Sequence, residues 1–418
     1  MSLKHVLPLA AVLVLAAGIA PAHAQVLYGA IVGTVEDNTG SVIPGATVTI
    51  TNQETGLTRE TAAGGVGSYS VADVPPGTYA VSVSAKGFRS SKTTGVSVSI
   101  NTVSRVDVRL QVGELTESVT VAADATMIQA DKADVHVALG VKEVTDLPLP
   151  AYRNYQALIN LVPGTTPAGY SNAVSGSPGR SLATNINGTT NSNNTRLDGA
   201  SNMRASLPHQ NLYVPPAESI EVVNIATNTF DAEQGFAGGA AVTVATKSGT
   251  NDFHGVIFEH HSNSAIKAKN FYFTDPKKPK YIINTYGGTL GGPIKRNKLF
   301  FFAGWEGLRE RSNFSRFMTI PDAKQRAGDF SGLSVTLYDP ATGNPNGTGR
   351  TVFPGNVIPL SRQSAITRKM QELLPAANLS GTANNYFGSA PVSFNRDNYD
   401  GKVNWNLSDR TSLWGKYS

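Results

Sequence analysis

Short segments in which apolar and polar residues alternate strictly make up the chain from residue 28 to about residue 112. In PGATVTITN, Ala46, Val48 and Ile50 fall on one side and threonines on the other, which is the period of a half-buried β-strand. Gly67–Phe88 adds two strands around a Pro-Pro-Gly turn. The pattern predicts about seven strands, and therefore a β-sandwich of about 85 residues.

The middle of the chain is less regular and mixes strand and helix patterns. Glu114–Val121 is a short β-prone stretch in flexible surroundings. In Ala151–Val162 the apolar residues share one helical face and Pro163-Gly164 follows, which predicts a short helix. Residues 164–211 have the Gly, Ser, Thr and Asn content of loops, and strands are predicted again between Glu218 and Thr250.

After Asn251 the segments become longer, more aromatic and more clearly alternating. From Tyr399 to Leu407, Tyr, Val, Trp and Leu alternate with Asp, Lys and Asn, and a turn and a second strand follow. A soluble half-buried strand has this pattern, and so does a transmembrane barrel strand with lipid on one side and water on the other. Lys298–Arg311 has the aromatic density of a bilayer interface. The pattern alone leaves both interpretations open.

The N-terminus predicts an exported protein. Lys4 and His5 precede an apolar run of about 15 residues, and Ala22-His23-Ala24 supplies small residues at a cleavage site, as in a secretory signal peptide. The run is shorter than the ~20 residues of a spanning helix. We expect cleavage after Ala24, with an uncleaved anchor as the alternative.

The composition excludes several kinds of site. The chain has no cysteine, which excludes disulfides, thiolate metal sites and a cysteine nucleophile. Charged residues make up 16% and the net charge is +5. The basic residues Lys277, Lys278 and Lys280 lie among prolines without a nucleic-acid-binding module, so we interpret them as a solvated loop.

The sequence contains no pattern typical of an enzyme. It has neither His-Glu-x-x-His nor Gly-x-Ser-x-Gly, and GGTLGGP lacks the Lys-Ser/Thr of a phosphate-binding loop. Among the histidines, His254 and His260 fall on one strand face, about 20 Å apart, and His261 falls on the other. We therefore predict solvated strand residues, no metal site, no cofactor and no catalytic residue.

Several segments resemble TonB-dependent receptors of the Oar-like group. PGATVTITN and GSYSVADVPPGTYAVSVSAKGF resemble a carboxypeptidase-regulatory-like domain, a transthyretin-like sandwich with a carbohydrate-binding-like fold. LPLPAYRNYQALINLVPG, GRSLATNINGTTNSNNTRLDGAS and ESIEVVNIATNTFDAEQGFAGGAAVTVATKSGTNDFHG resemble the receptors' plug domain. GGTLGGPIKRNKLFFFAGWEG, GDFSG, YDPATG, FPGN and the final hairpin resemble the start of the barrel. These segments follow the family's order.

The resemblance implies a mainly β protein with an N-terminal β-sandwich, an α+β plug domain and an incomplete antiparallel transmembrane β-barrel. The implied boundaries are a signal peptide at 1–24, the sandwich at 25–112, a linker at 113–125, the plug at 126–250 and the first barrel strands at 251–418. Such transporters close with about 22 strands. We count five or six candidates, so we expect an incomplete barrel.

The resemblance also implies a periplasmic partner, a TonB-type energy-transducing protein, which pairs with a short extended segment called a TonB box. The residues that fit are Glu117, Ser118, Val119, Thr120 and Val121; the alternatives are a last sandwich strand or an ordinary linker. In the plug, Arg196 and Asp198 suggest an internal ion pair. Solute contact on apical loops would use Arg180, Arg204 and His209.

The function implied is energised uptake of a scarce solute, such as a siderophore or an oligosaccharide, at the cell outer membrane. Outer-membrane lipid is then a further partner, and nucleic acid is not. Two other classes stay open, a cell-surface carbohydrate-binding or adhesion protein and a secreted hydrolase that lacks its catalytic part. The sequence identifies neither the solute nor the oligomeric state.

Overall fold

The computed structural model describes residues 27–113, 118–122, 134–167, 169, 181–189, 193–230, 234–235, 237–269, 271, 278–409 and 411–418. The predicted signal peptide lies outside these residues. The described residues form two compact units, one up to Glu259 with Thr285–Gly307 and Asp397–Ser418, the other His260–Asn284 with Leu308–Arg396. The predicted mainly β class is confirmed. Within the described part of the chain, every helix is too short or too polar to traverse a bilayer.

The N-terminal strands form two sheets. The first has the order β4-β1-β7, with β8 also paired to β1, and the second has the order β3-β2-β5-β6-β9. The strands are β1 (Gly29–Asp37), β2 (Thr47–Asn52), β3 (Thr58–Ala62), β4 (Ser68–Val74), β5 (Gly77–Ser84), β6 (Ser90–Val98), β7 (Val103–Arg105), β8 (Val108–Leu110) and β9 (Ser118–Ala122).

The core of this sandwich lies where the alternating pattern predicts it. Val48 and Ile50 of β2 are buried against Ile31 of β1, and threonines occupy the other face of β2. Tyr79 is buried in the same core, and its hydroxyl donates a hydrogen bond of 2.8 Å to the carbonyl of Pro75. Burial raises the pKa of Tyr79 to about 12. The apolar face of each sheet therefore supplies half of one core.

A second core forms in the residues between 134 and 250. Its sheet has the order β10-β15-β16-β11-β12, and β13 pairs with β14 in a separate hairpin. The elements are β10 (Val135–Gly140), α1 (Val141–Asp146), α2 (Pro150–Arg153), 3-10 helices Tyr155–Leu161 and Ala217–Ser219, β11 (Asn194–Leu197), β12 (Ala200–Ser201), β13 (Met203–Arg204), β14 (Leu207–Asn211), β15 (Ile220–Asn228) and β16 (Ala241–Thr246). We call this part the central domain.

The single helix predicted over Ala151–Val162 is wrong. The chain forms α2 and then a 3-10 helix, because Tyr152 and Arg153 have left-handed φ values of 69° and 57°. Arg153 is held there by Glu218, with 2.9 Å between Nη2 and Oε1. The predicted apolar face is nevertheless buried; its members are Tyr155, Leu158, Ile159 and Val162.

One residue of the sandwich is buried in the central domain. Ile100, in the turn after β6, is fully buried and packs with Val222 of β15 and Ala245 of β16. The carbonyl of Ile100 accepts a hydrogen bond of 2.8 Å from Nδ2 of Asn224. The turn between β6 and β7 is thus an apolar peg that joins the sandwich to the central sheet.

The C-terminal strands form one sheet in chain order, β17-β18-β19-β20-β21. The strands are β17 (His254–Asn263), β18 (Tyr281–Lys295), β19 (Leu299–Met318), β20 (Tyr386–Ser408) and β21 (Thr411–Tyr417). β19 continues to Met318 and β20 begins at Tyr386, so the connection between them covers residues 319–385. The described strands leave this sheet open.

The connection between β19 and β20 belongs to the second unit and is ordered by local polar contacts. Arg362 makes two hydrogen bonds to the carboxylate of Asp339, of 2.9 and 2.6 Å. The amide of Asn385 bonds both the N–H and the carbonyl of Ile320. The helices here are α3 (Ala323–Arg326), α4 (Ala365–Glu372) and the 3-10 segments Pro354–Asn356 and Leu360–Arg362; Ser264–Ile266 follows β17.

Candidate functional site

The hairpin of β20 and β21 exposes apolar side chains and buries charged ones, which is the reverse of the arrangement in a soluble protein. Tyr399 is 62% exposed and Trp405 is 47% exposed, whereas Asp400 and Lys402 between them are only 5% and 8% exposed. The outward face continues on β21, where Leu413 lies opposite Trp405. Apolar side chains therefore point away from the protein, and ionised ones point into it.

Asp198 of the central domain lies against the inward face of this hairpin. It follows β11 in a tight turn with a left-handed φ of 45°, and it is 3% exposed. Its carboxylate accepts hydrogen bonds from the backbone N–H of Thr246 at 3.0 Å and from the Thr246 hydroxyl at 2.6 Å. These bonds orient the two carboxylate oxygens toward β20 and β21.

Two lysines of the hairpin bind that carboxylate. Nζ of Lys402 lies 3.1 Å from Oδ1 of Asp198 and also donates to the Thr246 carbonyl at 3.0 Å. Nζ of Lys416 lies 3.3 Å from Oδ2 of Asp198. Lys402 and Lys416 are register partners on β20 and β21, so the strand pairing itself places both ammonium groups at one spot.

Asp400 completes the group on the barrel side. Its Oδ1 lies 3.6 Å from Nζ of Lys416 and accepts a hydrogen bond of 2.7 Å from the Ser418 hydroxyl. Its Oδ2 accepts a hydrogen bond of 3.1 Å from the hydroxyl of Tyr213, in the central domain. We call Asp198, Lys402, Lys416 and Asp400 the ion cluster.

The electrostatics of the ion cluster favour the ionised form of Asp198. Burial raises the pKa of Asp198, but the ammonium groups of Lys402 and Lys416 and the hydrogen bonds from Thr246 outweigh it, so its pKa lies below the usual value. Two carboxylates and two ammonium groups cancel in charge. Opposite charges paired in this way are the form in which charges are tolerated in a protein interior.

The predicted TonB box, which we call the transducer segment, overlaps an edge strand of the sandwich. Ser118–Ala122 is β9 and pairs in parallel with β6, with Ser90 opposite Ser118 and Thr94 opposite Ala122. Glu117 lies outside the described residues. The sequence left a last sandwich strand open as an alternative, and the observed pairing has that form.

Two of the three residues predicted for solute contact are among the described residues, and both lie on one hairpin. Arg204 and His209 lie on the β13–β14 hairpin, where Nη1 of Arg204 donates to Oε1 of Gln210 at 3.3 Å. Arg180 lies outside the described residues.

A cavity of about 550 Å³ lies beside the ion cluster. Its walls include Asp198, Glu221, Lys247, His254, Lys402 and Trp414. In the part of the chain that the structure describes, no group of three or more His, Cys, Asp or Glu is arranged to hold a metal ion. The cavity is lined by both acidic and basic side chains.

Sequence reasoning does not identify the ion cluster. It suggests Arg196 as the partner of Asp198, whereas the structure places Lys402 and Lys416 there. Lys402 is 204 positions away from Asp198 in the sequence. The available signal is the polar face of the Tyr399–Leu407 pattern, since charged residues facing a barrel interior need partners of opposite charge.

Two family matches cover the two ends of the chain. Residues 30–111 match the Carboxypeptidase regulatory-like domain, and residues 245–418 match the Outer membrane beta barrel domain. A curated relative, the TonB-dependent transporter Oar of Myxococcus xanthus, is 26% identical over 307 residues. That match covers 68% of this chain and 28% of the relative, so the chain spans little more than a quarter of the relative's length.

Solved structures show partial likenesses. The siderophore receptor PirA from Acinetobacter baumannii is 16% identical with a TM-score of 0.35, over 67% of this chain and 30% of that one. A putative carbohydrate binding protein from Bacteroides uniformis is 19% identical with a TM-score of 0.18, over 20% of this chain and 40% of that one. Both TM-scores are low, and neither likeness carries a functional argument.

The curated relative is named as a transporter, in agreement with the lack of enzyme motifs in this sequence. The barrel match supports a place in the outer membrane. The chain is thus similar to the TonB-dependent transporter Oar, and its two ends match a carboxypeptidase regulatory-like domain and an outer membrane beta barrel domain.

Proposed function

We propose that the chain is part of an outer-membrane receptor that takes up a scarce solute, such as a siderophore or an oligosaccharide, with energy from a TonB-type periplasmic protein. In this proposal residues 1–24 export the chain and residues 25–112 form an accessory sandwich. Residues 113–125 carry the transducer contact, 126–250 form the plug, and 251–418 are the first barrel strands. Arg180, Arg204 and His209 are the proposed solute contacts.

The observation that carries this proposal is the inverted polarity of the β20–β21 hairpin. In water, exposing Tyr399, Trp405 and Leu413 while burying Asp400 and Lys402 is unfavourable on both counts. In a bilayer the same arrangement is favourable, because the apolar face contacts lipid and the ionised face contacts the material inside the barrel. The central domain supplies that material, which is the role of a plug.

The ion cluster has a specific part in this proposal. Asp198 belongs to the plug, and Lys402 and Lys416 belong to the barrel wall, so their ion pairs attach the plug to the wall. A path for solute would open either when this attachment breaks or when the plug turns about it as a hinge. Removing one partner of such a buried group costs several kcal/mol, about 3–5. Separating the plug from the wall would likewise leave buried charges without partners, and this is the step that an external energy source would drive.

We predict a two-residue period of lipid contact along β20. Nitroxide labels at Val403→Cys and Leu407→Cys should be accessible to oxygen, which is enriched in lipid, and protected from a water-soluble nickel reagent. Labels at Asn404→Cys and Asn406→Cys on the inward face should show lower oxygen access. The absence of native cysteine leaves each label unique.

The matched inward pair is the control in this experiment, since it lies on the same strand and carries the same label. Equal nickel accessibility at all four positions would mean that the hairpin lies in water. That result would contradict the proposed barrel and favour a soluble surface protein.

A second prediction concerns the transducer contact. Val119→Pro removes one backbone N–H from β9 and disfavours the pairing of β9 with another strand. Capture of the purified periplasmic domain of the TonB-type protein by the detergent-solubilised receptor should weaken at least about tenfold, which is about 1.4 kcal/mol. Val119→Ala keeps the N–H and is the matched control. Equal capture by the two variants would remove residues 117–121 from the proposal.

A further inference from the structure

The sandwich holds the proposed transducer segment as a preformed strand. β9 pairs in parallel with β6 over five register positions, from Ser90 opposite Ser118 to Thr94 opposite Ala122. The row that runs across this sheet through Lys92 and Thr120 also contains Ser82, Thr49 and Glu60. Thr120 and Lys92 are both exposed, so this row lies on the solvent face of the sandwich.

β9 is the last strand of its sheet. Among the described residues its one strand partner is β6, and no described strand pairs with its second edge. In a parallel strand alternate residues direct their N–H and C=O groups to opposite sides, so β9 still presents backbone donors and acceptors outward. Such an edge is a template for an added strand.

The other end of the same sheet is protected. At β3, the guanidinium of Arg59 donates hydrogen bonds of 3.0 and 2.9 Å to the carbonyls of Ala72 and Asp73. Arg59 and Glu60 also place charges on that strand, which discourages edge pairing. Ser118–Ala122 contains neither a charged residue nor proline. The two edges of one sheet thus differ in the features that control strand addition.

We propose that the carboxypeptidase regulatory-like sandwich presents Ser118–Ala122 to the transducer as a ready-made edge, and that an extended strand of the TonB-type protein adds to the outer side of β9 while its inner side stays paired with β6. This inference rests on the proposed function, because it assumes that the segment is the transducer contact. The backbone ordering that a flexible segment would need on binding is already complete in β9.

A disulfide between β6 and β9 tests the inference. Lys92→Cys with Thr120→Cys joins two register partners on the solvent face, at a strand spacing that a disulfide bridges. The bond should form with a mild oxidant such as copper phenanthroline. The oxidised receptor should capture the transducer's periplasmic domain within about threefold of the reduced one.

The matched control is Glu60→Cys with Thr120→Cys. Both residues lie in the same row and on the same face, but four strand spacings apart, about 19 Å, so no disulfide should form.

Hydrogen exchange gives a second readout of the transducer's binding to β9. Adding the transducer domain should increase protection of residues 118–122 while protection of Ser90–Val98 is unchanged.

The outcomes separate the two proposals. A tenfold or greater loss of capture on oxidation, restored by reduction, would show that β9 must leave the sandwich, and it would overturn the inference alone. Failure of the Lys92–Thr120 pair to form a disulfide would also overturn it, since the pairing would be absent. Capture by the reduced receptor that is insensitive to Val119→Pro would instead overturn the proposed transducer contact.

Discussion

Replacing Asp198 by alanine should lower the free energy of unfolding by about 3–5 kcal/mol, because it removes the acceptor shared by two buried lysines. Lys402 would keep the Thr246 carbonyl, and Lys416 would keep Asp400. Neither remaining contact balances both positive charges. Guanidinium unfolding of the detergent-solubilised receptor, followed by the fluorescence of the hairpin tryptophans, measures the loss.

The control for this change is Glu36→Ala, which also removes one negative charge. Glu36 pairs with Arg109 at 3.7 Å on the sandwich surface, and such exposed pairs contribute less than about 1 kcal/mol. The loss of stability at acid pH provides a second readout. Since the pKa of Asp198 is lower in the folded protein than its unfolded value of about 3.9, its stabilisation is complete above that value and is lost as pH falls through the folded-state pKa. Similar losses for both variants would contradict a special role of the ion cluster.

Gly33→Ala should destabilise the sandwich by about 3 kcal/mol or more. A Cβ at this position in β1 would lie 1.9 Å from the carbonyl oxygen of Val106 and 2.9 Å from a ring carbon of Tyr69. That carbonyl is already fixed, because it accepts a hydrogen bond of 2.6 Å from the Tyr69 hydroxyl. The methyl group can fit only if backbone moves, and overpacking of a core costs about 1–3 kcal/mol even where side chains can adjust.

Hydrogen exchange with mass spectrometry measures this effect locally, because it reports the opening of β1 and β4 separately from the rest of the chain. Gly65→Ala is the control, since a Cβ there meets nothing within 4 Å, and a surface change of this kind stays within about 0.5 kcal/mol. Unchanged protection of β1 and β4 in the Gly33 variant would contradict the close contact between Gly33 and the Val106 carbonyl.

Local alternation was enough to predict the sandwich. Val48 and Ile50 are buried and their threonine neighbours are on the other face, because a strand with one dry face has only one register that buries its apolar set. The same reasoning predicted the face of Ala151–Val162 but not its backbone. The left-handed turn at Tyr152 and Arg153 accompanies an ion pair with Glu218, 65 positions away, and local propensity contains no information about such a partner.

The hairpin shows where a pattern is ambiguous in principle. Alternation from Tyr399 to Leu407 separates two faces, but it does not say which face is covered. Only the burial of Asp400 and Lys402 by Asp198 and Tyr213 assigns the faces, and those partners come from a distant part of the chain. The ion cluster was missed for the same reason, since its members meet only when two domains are folded together.

The apolar peg at Ile100 has a mechanical consequence. β6 is the strand that holds β9, and it runs directly into Ser99 and Ile100, whose side chain is inserted between Val222 and Ala245. Tension applied along β9 would load its ladder with β6 in shear, so that all five paired residues resist together. The load would then pass along β6 and through the contacts of Ile100 into the central sheet. The sandwich would therefore transmit the pulling force to the central domain.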